Sequence, residues 1–209
     1  MIQNGEDMTL DSYEAAIAPV LARYYQKRDH HLSQNIGKWE QEALKPELTG
    51  HTLTGTGKVN LRSESIYLID DHFIKDYDDI ESIKEGESNH SYTFFHLGPK
   101  LSGHKGIVHG GFLATILDEL TCRLAFQNFH SKKGVTANLN INYKQPCFVD
   151  NYVLVRCELI SKQGRKCRVK GTVYKVNLED QDIETKENLL CECECLVIEP
   201  KWVDQLKGH

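Results

Sequence analysis

Apolar side chains recur at helical spacing near the start of the chain, between residues 9 and 45. The spacing predicts one helix over the first part of this stretch and a second, weaker helix at 36–44. Pro19 falls inside the first pattern and could kink or restart that helix. We expect residues 1–50 to form an N-terminal helical extension. It could serve as a lid or partner surface, but the pattern favours an amphipathic flank packed on the core.

Six later stretches are rich in β-branched and aromatic residues, in part with alternation, and they predict strands. Two of them precede a long helical stretch and four follow it, an order that does not match the regular alternation of a parallel α/β sheet. We therefore predict an α+β protein with a mainly antiparallel sheet and the helix on one face of it. The predicted strands are 51–69, 90–97, 135–144, 152–161, 165–176 and 188–199.

The helical stretch between the second and third strands runs from Phe112 to about Phe126. Apolar side chains cover most of its circumference, which is typical of a buried helix. Such a helix needs a sheet curved around it. Asp118, Glu119 and Arg123 nevertheless lie within it, and buried carboxylates are rare unless they are paired or functional.

The triplet His109-Gly110-Gly111 stands directly before this helix. Glycine allows an incoming oxygen to approach the first N–H groups of a helix, where the helix dipole favours negative charge. The open N–H groups of Gly110 and Gly111 could therefore polarise the carbonyl of a thioester. One well-aimed N–H donor is typically worth about 3 kcal/mol to a developing oxyanion. Asp118 follows two turns later and could act as a general base or as a nucleophile. The triplet and Asp118 together are a candidate catalytic unit.

Composition narrows the range of functions. The chain has 209 residues and a formal net charge of −5, which gives no support for nucleic-acid or acidic-membrane binding. No apolar run approaches the roughly 20 residues of a membrane helix, so we expect no membrane span. Seven cysteines and no signal peptide indicate free thiols in a reducing compartment. Residues 1–20 contain no Arg, unlike a transit peptide, although a presequence could have been removed.

The cysteines do not predict a metal site. Cys191, Cys193 and Cys195 alternate along the last predicted strand, so their thiols share one face of it. Alternate strand residues are too far apart to close a tetrahedral site, and we expect these thiols to pack against the helix as small apolar groups. Cys122 lies among leucines in the helix and is expected to be an inert buried thiol. We predict neither a metal nor a cofactor.

Three features together resemble the hotdog-fold acyl-CoA thioesterases of the PaaI-like branch, and in particular their fungal and mitochondrial-type members. They are the His-Gly-Gly triplet, the Asp nine residues after the His, and the strand Thr-Ala-Asn-Leu-Asn-Ile-Asn-Tyr at 136–143. The resemblance covers roughly residues 51–199. It implies a hotdog domain over 51–200, in which a six-stranded sheet wraps around one long central helix.

The resemblance also implies a function and an assembly. The expected activity is hydrolysis of fatty or medium-chain acyl-CoA by a homodimer or a dimer of dimers. Family members join their sheets edge to edge, which would place Asp118 of one subunit against the His-Gly-Gly turn of the other. The expected compartment is the mitochondrion, with the cytoplasm as the alternative.

Four further residues complete the candidate site. Thr136 matches the family position whose hydroxyl helps to place the attacking water, and Asn138 is a candidate substrate contact. Regular alternation would put both on one strand face, away from the helix if the apolar residues pack on it. His109 is expected to hold the turn rather than act as a base. Glu119 lies about 100° round the helix from Asp118, so it is a substrate-binding candidate that cannot share one site with Asp118.

One departure from the family pattern supports a second hypothesis. Many PaaI-like members carry an Asn in the loop before the triplet, whereas residues 98–108 contain none. Ser102 or His104 could take its place. The alternative function is therefore a catalytically weak hotdog protein that binds acyl-CoA or a protein partner. A hotdog dehydratase is a third possibility, but those enzymes usually show a different helix signature.

Overall fold

A computed structural model describes residues 9–29 and 47–202. Within them the α-helices are α1 (Leu10–Asp29), α2 (Asp71–Lys75) and α3 (Gly110–Gln127), and Glu47–Thr52 forms a π-helical turn. The strands are β1 (Val59–Arg62), β2 (Ile66–Ile69), β3 (Asn89–Leu97), β4 (Ser102–His104), β5 (Ile107–Val108), β6 (Val135–Tyr143), β7 (Asn151–Gln163), β8 (Lys166–Val176) and β9 (Leu189–Ile198). None of the described helices is both long enough and apolar enough to cross a membrane.

The main sheet is antiparallel throughout, with strand order β1-β3-β7-β8-β9-β6 and with β2 also paired to β3. The predicted α+β class and the mainly antiparallel sheet are confirmed. The prediction of one continuous strand at 51–69 is wrong, because β1 and β2 pair with successive halves of β3. Between them the Ser63 hydroxyl accepts from the N–H of Phe94 at 2.9 Å and the Ser65 hydroxyl bonds Thr93, so side chains interrupt the ladder.

Helix α3 lies on one face of this sheet, and the sheet wraps around it in the hotdog arrangement that the resemblance implies. The two approach closely at Gly171 on β8, where a Cβ atom would stand 2.8 Å from both Leu117 Cδ2 and Cys193 Sγ. The helix is buried along most of its length, as its apolar pattern predicts. Cys191, Cys193 and Cys195 of β9 belong to the same core, so the expected packing of these thiols is confirmed.

Helix α1 packs on the opposite face of the sheet. Ile17 and Val20 are buried against a second apolar cluster that includes Phe94 and Leu154. The helix is continuous from Leu10 to Asp29 with Pro19 inside it, and its position is that of a packed flank rather than a lid. The second helix predicted at 36–44 lies outside the described residues.

Strand β6 forms one edge of the sheet and is its least covered strand. Two large apolar side chains nearby are also exposed, Tyr143 by 52% and Phe148 by 56%. An open edge strand presents unpaired backbone groups to another chain. Among the strands of the main sheet, β6 therefore leaves such an edge open.

Candidate active site

The turn before α3 is held by a short hairpin and by its own histidine. Strands β4 and β5 pair with each other, and the His109 N–H donates to the carbonyl of Leu101 at 2.8 Å. His109 caps the helix, with its Nδ1 accepting from the N–H of Gly111 at 2.9 Å. The sequence predicted two open N–H groups here, but the structure leaves one. Among the described residues, the N–H of Gly110 has no hydrogen-bond acceptor.

A cavity of about 510 Å³ opens beside this turn. Its wall includes Leu113, Tyr143 and Lys144. The Tyr143 hydroxyl donates to the carbonyl of Gly110 at 2.7 Å, and a Cβ at Gly110 would stand 3.3 Å from the Tyr143 ring. Glycine therefore allows the tyrosine to close over the start of the helix. Asp118 does not line this cavity.

Asp118 lies about 12 Å further along α3 than Gly110, because eight residues separate them at about 1.5 Å each. It shares a helix face with Cys122, one turn on, and this face is only partly buried in the single chain. The two halves of the predicted catalytic unit are thus both near the open β6 side of the molecule, but one chain does not bring them together.

A β-bulge in β6 turns Thr136 towards the helix. Thr136 pairs with Val197 of β9, Asn138 pairs with Leu196, and Ala137 is the extra residue between them. As a result Thr136 lies on the helix-facing side with Leu139. Its hydroxyl donates to Asp118 Oδ1 at 2.6 Å.

The bulge corrects one expectation from the sequence. Thr136 and Asn138 do not share a strand face, and Asn138 points away from the helix as an exposed side chain. Regular alternation therefore describes Asn138 but fails at Thr136. The structure brings Thr136 to Asp118 within one chain and leaves Asn138 apart from both.

Two thiols complete the surroundings of Asp118. Cys122 Sγ lies 3.0 Å from Thr136 Oγ1, and Cys195 of β9 is buried beside it. The hydrogen bond between Cys122 and Cys195 raises the pKa of the Cys122 thiol and lowers that of Cys195. The sequence predicted an inert thiol at Cys122. It did not predict that Cys122 would lie beside Cys195, because Cys195 is more than 70 residues away.

Glu119 has a different environment from Asp118, as the helix geometry predicts. Its carboxylate lies 2.7 Å from the guanidinium groups of both Arg62 and Arg123 and accepts a hydrogen bond from Thr49. Burial alone would raise the pKa of Glu119, but the two arginines and Thr49 outweigh it and hold that pKa below its usual value. Arg62 and Thr49 were missed by the sequence analysis, since neither lies near Glu119 in the chain.

The comparisons with known proteins agree with this architecture. Residues 105–180 match the model of the thioesterase superfamily. That stretch contains the triplet, Asp118 and Thr136, and it confirms the resemblance to hotdog-fold thioesterases.

Two relatives illustrate the range of similar sequences. A mitochondrial protein of Candida albicans is 36% identical over 110 residues, which are 53% of this chain and 48% of the relative. The acyl-coenzyme A thioesterase THEM4 of Rattus norvegicus is 41% identical over 85 residues, covering 40% of this chain and 35% of that protein. The chain spans about half the length of the first curated relatives that it matches.

Among solved structures, a Streptococcus mutans protein bound to acetyl-CoA aligns with a TM-score of 0.45 and 16% identity, over 58% of this chain and 86% of that one.

Proposed function

We propose that the protein is an acyl-CoA thioesterase that hydrolyses fatty or medium-chain acyl-CoA to a free acid and coenzyme A. The observation that carries the proposal is the hydrogen bond from Thr136 to Asp118 on the partly open face of α3. A structural carboxylate in a core would be paired with a cation, as Glu119 is. Asp118 instead has a hydroxyl partner, and among the described residues no Lys or Arg forms an ion pair with it.

The site would be completed by a second subunit. Pairing the open edge of β6 with the same edge of another copy would cover the exposed face of α3 and bring Asp118 to the partner's His-Gly-Gly turn. Helix α1 already occupies part of the outer sheet face. The outer face of β8 and β9 carries charged pairs such as Arg168–Glu194. Both features favour a homodimer over a dimer of dimers.

The chemistry then follows from the positions of the groups. The Asp118 carboxylate takes a proton from a water molecule while the water oxygen attacks the thioester carbonyl carbon. The N–H of Gly110 of the second subunit, at the positive end of that subunit's α3, stabilises the oxyanion that forms. Collapse of this intermediate breaks the C–S bond, and the coenzyme A thiolate leaves and takes up a proton. Thr136 holds one oxygen of Asp118 and leaves the other for the water.

A direct attack by Asp118 is the other route through the same residues. The carboxylate would form a mixed anhydride and expel the thiolate, and water would then hydrolyse the anhydride. In either route His109 holds the turn by accepting from Gly111. We place Glu119 outside the site because its carboxylate already has three protein partners, and Asn138 outside it because it lies on the far strand face.

The test is acyl-CoA hydrolysis by the wild type and by Asp118→Asn, over chain lengths from acetyl to palmitoyl. Product should be followed by chromatography, because the seven cysteines would react with thiol dyes. We expect the variant to lose at least about a hundredfold in rate, or about 2.7 kcal/mol, while it remains folded. Asn138→Ala is the matched control, and its rate should stay close to that of the wild type.

The alternative, a hotdog protein that binds acyl-CoA without turning it over, has a specific observation in its favour. The loop at 98–108 has no Asn, and the Ser102 hydroxyl is already bonded to the carbonyl of Pro99. A wild type that binds every acyl-CoA but hydrolyses none would establish this alternative and end the enzyme proposal.

We also propose a mitochondrial location, which rests on relatives described as mitochondrial proteins in Candida albicans and Saccharomyces cerevisiae. Fractionation of cells that express the tagged full-length protein tests it. Recovery of the protein in the cytosolic fraction alone would contradict it.

A further inference from the structure

One carboxylate and two thiols, which are groups that can bind metals, meet beside the proposed site. The ligand atoms of Asp118, Cys122 and Cys195 all lie within 4.8 Å of one another. Asp118 and Cys122 are one turn apart on α3, and Cys195 reaches them from β9. A fourth donor, Thr136 Oγ1, lies within hydrogen-bond distance of both Asp118 and Cys122.

This grouping differs from the alternating cysteines of β9, which cannot reach one ion together. A helix places residues i and i+4 on the same face, so Asp118 and Cys122 project side by side. The strand then supplies Cys195 from the facing element. Zinc binds sulfur at about 2.3 Å and carboxylate oxygen at about 2.0–2.2 Å, so tetrahedral ligand atoms stand roughly 3.5 Å apart. Small rotamer changes would close the observed spacing to that value.

The surroundings also suit a cation. Among the described residues, no Lys or Arg forms an ion pair with Asp118, so a metal would not have to displace a positive charge. Cys195 is fully buried, while Asp118 and Cys122 are partly exposed in the single chain. Two thiolates and one carboxylate select a soft or borderline ion over Mg²⁺ or Ca²⁺.

We propose that Asp118, Cys122 and Cys195 form a site for a thiophilic divalent cation such as Zn²⁺, and that the bound ion inhibits thioester hydrolysis. Binding releases the two thiol protons to solvent, and Thr136 or a water molecule fills the fourth position. The inhibition follows because an Asp118 carboxylate bound to the metal can neither take a proton from water nor attack a carbonyl carbon. This inhibitory part rests on the proposed thioesterase function, whereas the metal site does not.

Cadmium provides a direct readout of the site that does not depend on activity. The reduced, metal-free protein is titrated with Cd²⁺ at neutral pH while the thiolate-to-cadmium charge-transfer absorbance is recorded. We expect saturation at one ion per chain. The signal should fall by at least half in Cys122→Ser, in which one thiolate is lost, and Cd²⁺ affinity should fall at least tenfold in Asp118→Asn.

Cys167→Ser is the matched control, because Cys167 is also a buried thiol but lies outside the cluster. It should bind one Cd²⁺ ion with full absorbance. A wild type without stoichiometric binding at micromolar Cd²⁺ would overturn the metal site, and so would an unchanged signal in folded Cys122→Ser and Asp118→Asn.

Hydrolysis assays with Zn²⁺ then separate the two proposals. We expect micromolar Zn²⁺ to inhibit the wild type, a chelator to restore activity, and Cys122→Ser to require at least tenfold more Zn²⁺ for the same inhibition. If the protein binds Cd²⁺ but Zn²⁺ does not inhibit hydrolysis, the metal site stands and the proposed inhibition is wrong. If the protein binds Cd²⁺ but hydrolyses no acyl-CoA, the metal site stands and the proposed thioesterase function is wrong.

Discussion

Replacement of Glu119 by Gln decides between a structural and a substrate-binding role for this carboxylate. Its partners Arg62 and Arg123 both lie 2.7 Å away, and the exposed side-chain fractions are 15%, 20% and 9% for Glu119, Arg62 and Arg123. Removal of one partner from a fully buried pair costs about 3–5 kcal/mol, because the remaining charge is left unpaired. Since these groups keep some contact with solvent, we expect a loss of about 2–3 kcal/mol in the free energy of unfolding.

Thermal and urea unfolding measure this loss. For a chain of this size it corresponds to a fall in Tm of about 4–12 °C. The matched control is Glu194→Gln. Glu194 also has an arginine partner, Arg168, 2.5 Å away, but the side chains of Glu194 and Arg168 are 49% and 54% exposed. Exposed pairs are worth little, so this variant should lose at most about 0.5 kcal/mol. Equal losses in the two variants would refute the reasoning.

The pH dependence provides a second check on Glu119. Its pKa in the folded protein lies below the usual value of 4.5, so its charge stabilises the fold fully above that value. The stabilisation is lost as the pH falls through the folded-state pKa. The difference in stability between wild type and Glu119→Gln should therefore be largest near neutral pH and shrink below about pH 4. If the Glu119→Gln variant is folded but fails to hydrolyse acyl-CoA, Glu119 contributes to substrate binding and not only to stability.

Three further substitutions test the local structure. Thr136→Val should lower the hydrolysis rate about 10- to 150-fold in steady-state assays, since a hydrogen bond to a charged group is worth about 1.5–3 kcal/mol, and Thr136→Ser should recover most of it. His109→Ala removes the cap on Gly111 and should lower the free energy of unfolding in urea by about 1 kcal/mol, whereas an unchanged midpoint would show that water replaces the cap. Gly171→Ala would put a Cβ 2.8 Å from Leu117 Cδ2 and should cost about 1–3 kcal/mol in the same assay; a neutral result would mean that α3 can move outward without loss.

The fold could be predicted from the sequence where burial alone decides the pattern. Helix α3 begins and ends within two residues of the predicted Phe112–Phe126, because its apolar residues leave no other arrangement. The break in the first predicted strand could not be seen in the same way. It depends on the hydroxyls of Ser63 and Ser65, which replace ladder hydrogen bonds only once β3 is in place.

The candidate site shows the same division. His109 directly precedes the predicted helix and Asp118 lies within it, so both residues could be found from the sequence. The direction of Thr136 could not, because a single bulge at Ala137 reverses the alternation and leaves no fixed signature. The pairing of Glu119 with Arg62 of β1 could not be predicted either, since Arg62 is 57 residues away in the chain.

The unequal covering of the sheet has a consequence for local stability. Strands β3 and β7 are held between α3 on one side and α1 on the other, so opening them must expose apolar surface on both faces. Strand β6 has one neighbouring strand and many exposed side chains, and its amides should exchange with solvent through much smaller openings. Thr136 therefore lies on the strand that the single chain holds least firmly. A partner added at this edge would slow that exchange, so the step that completes the proposed site would also make it rigid.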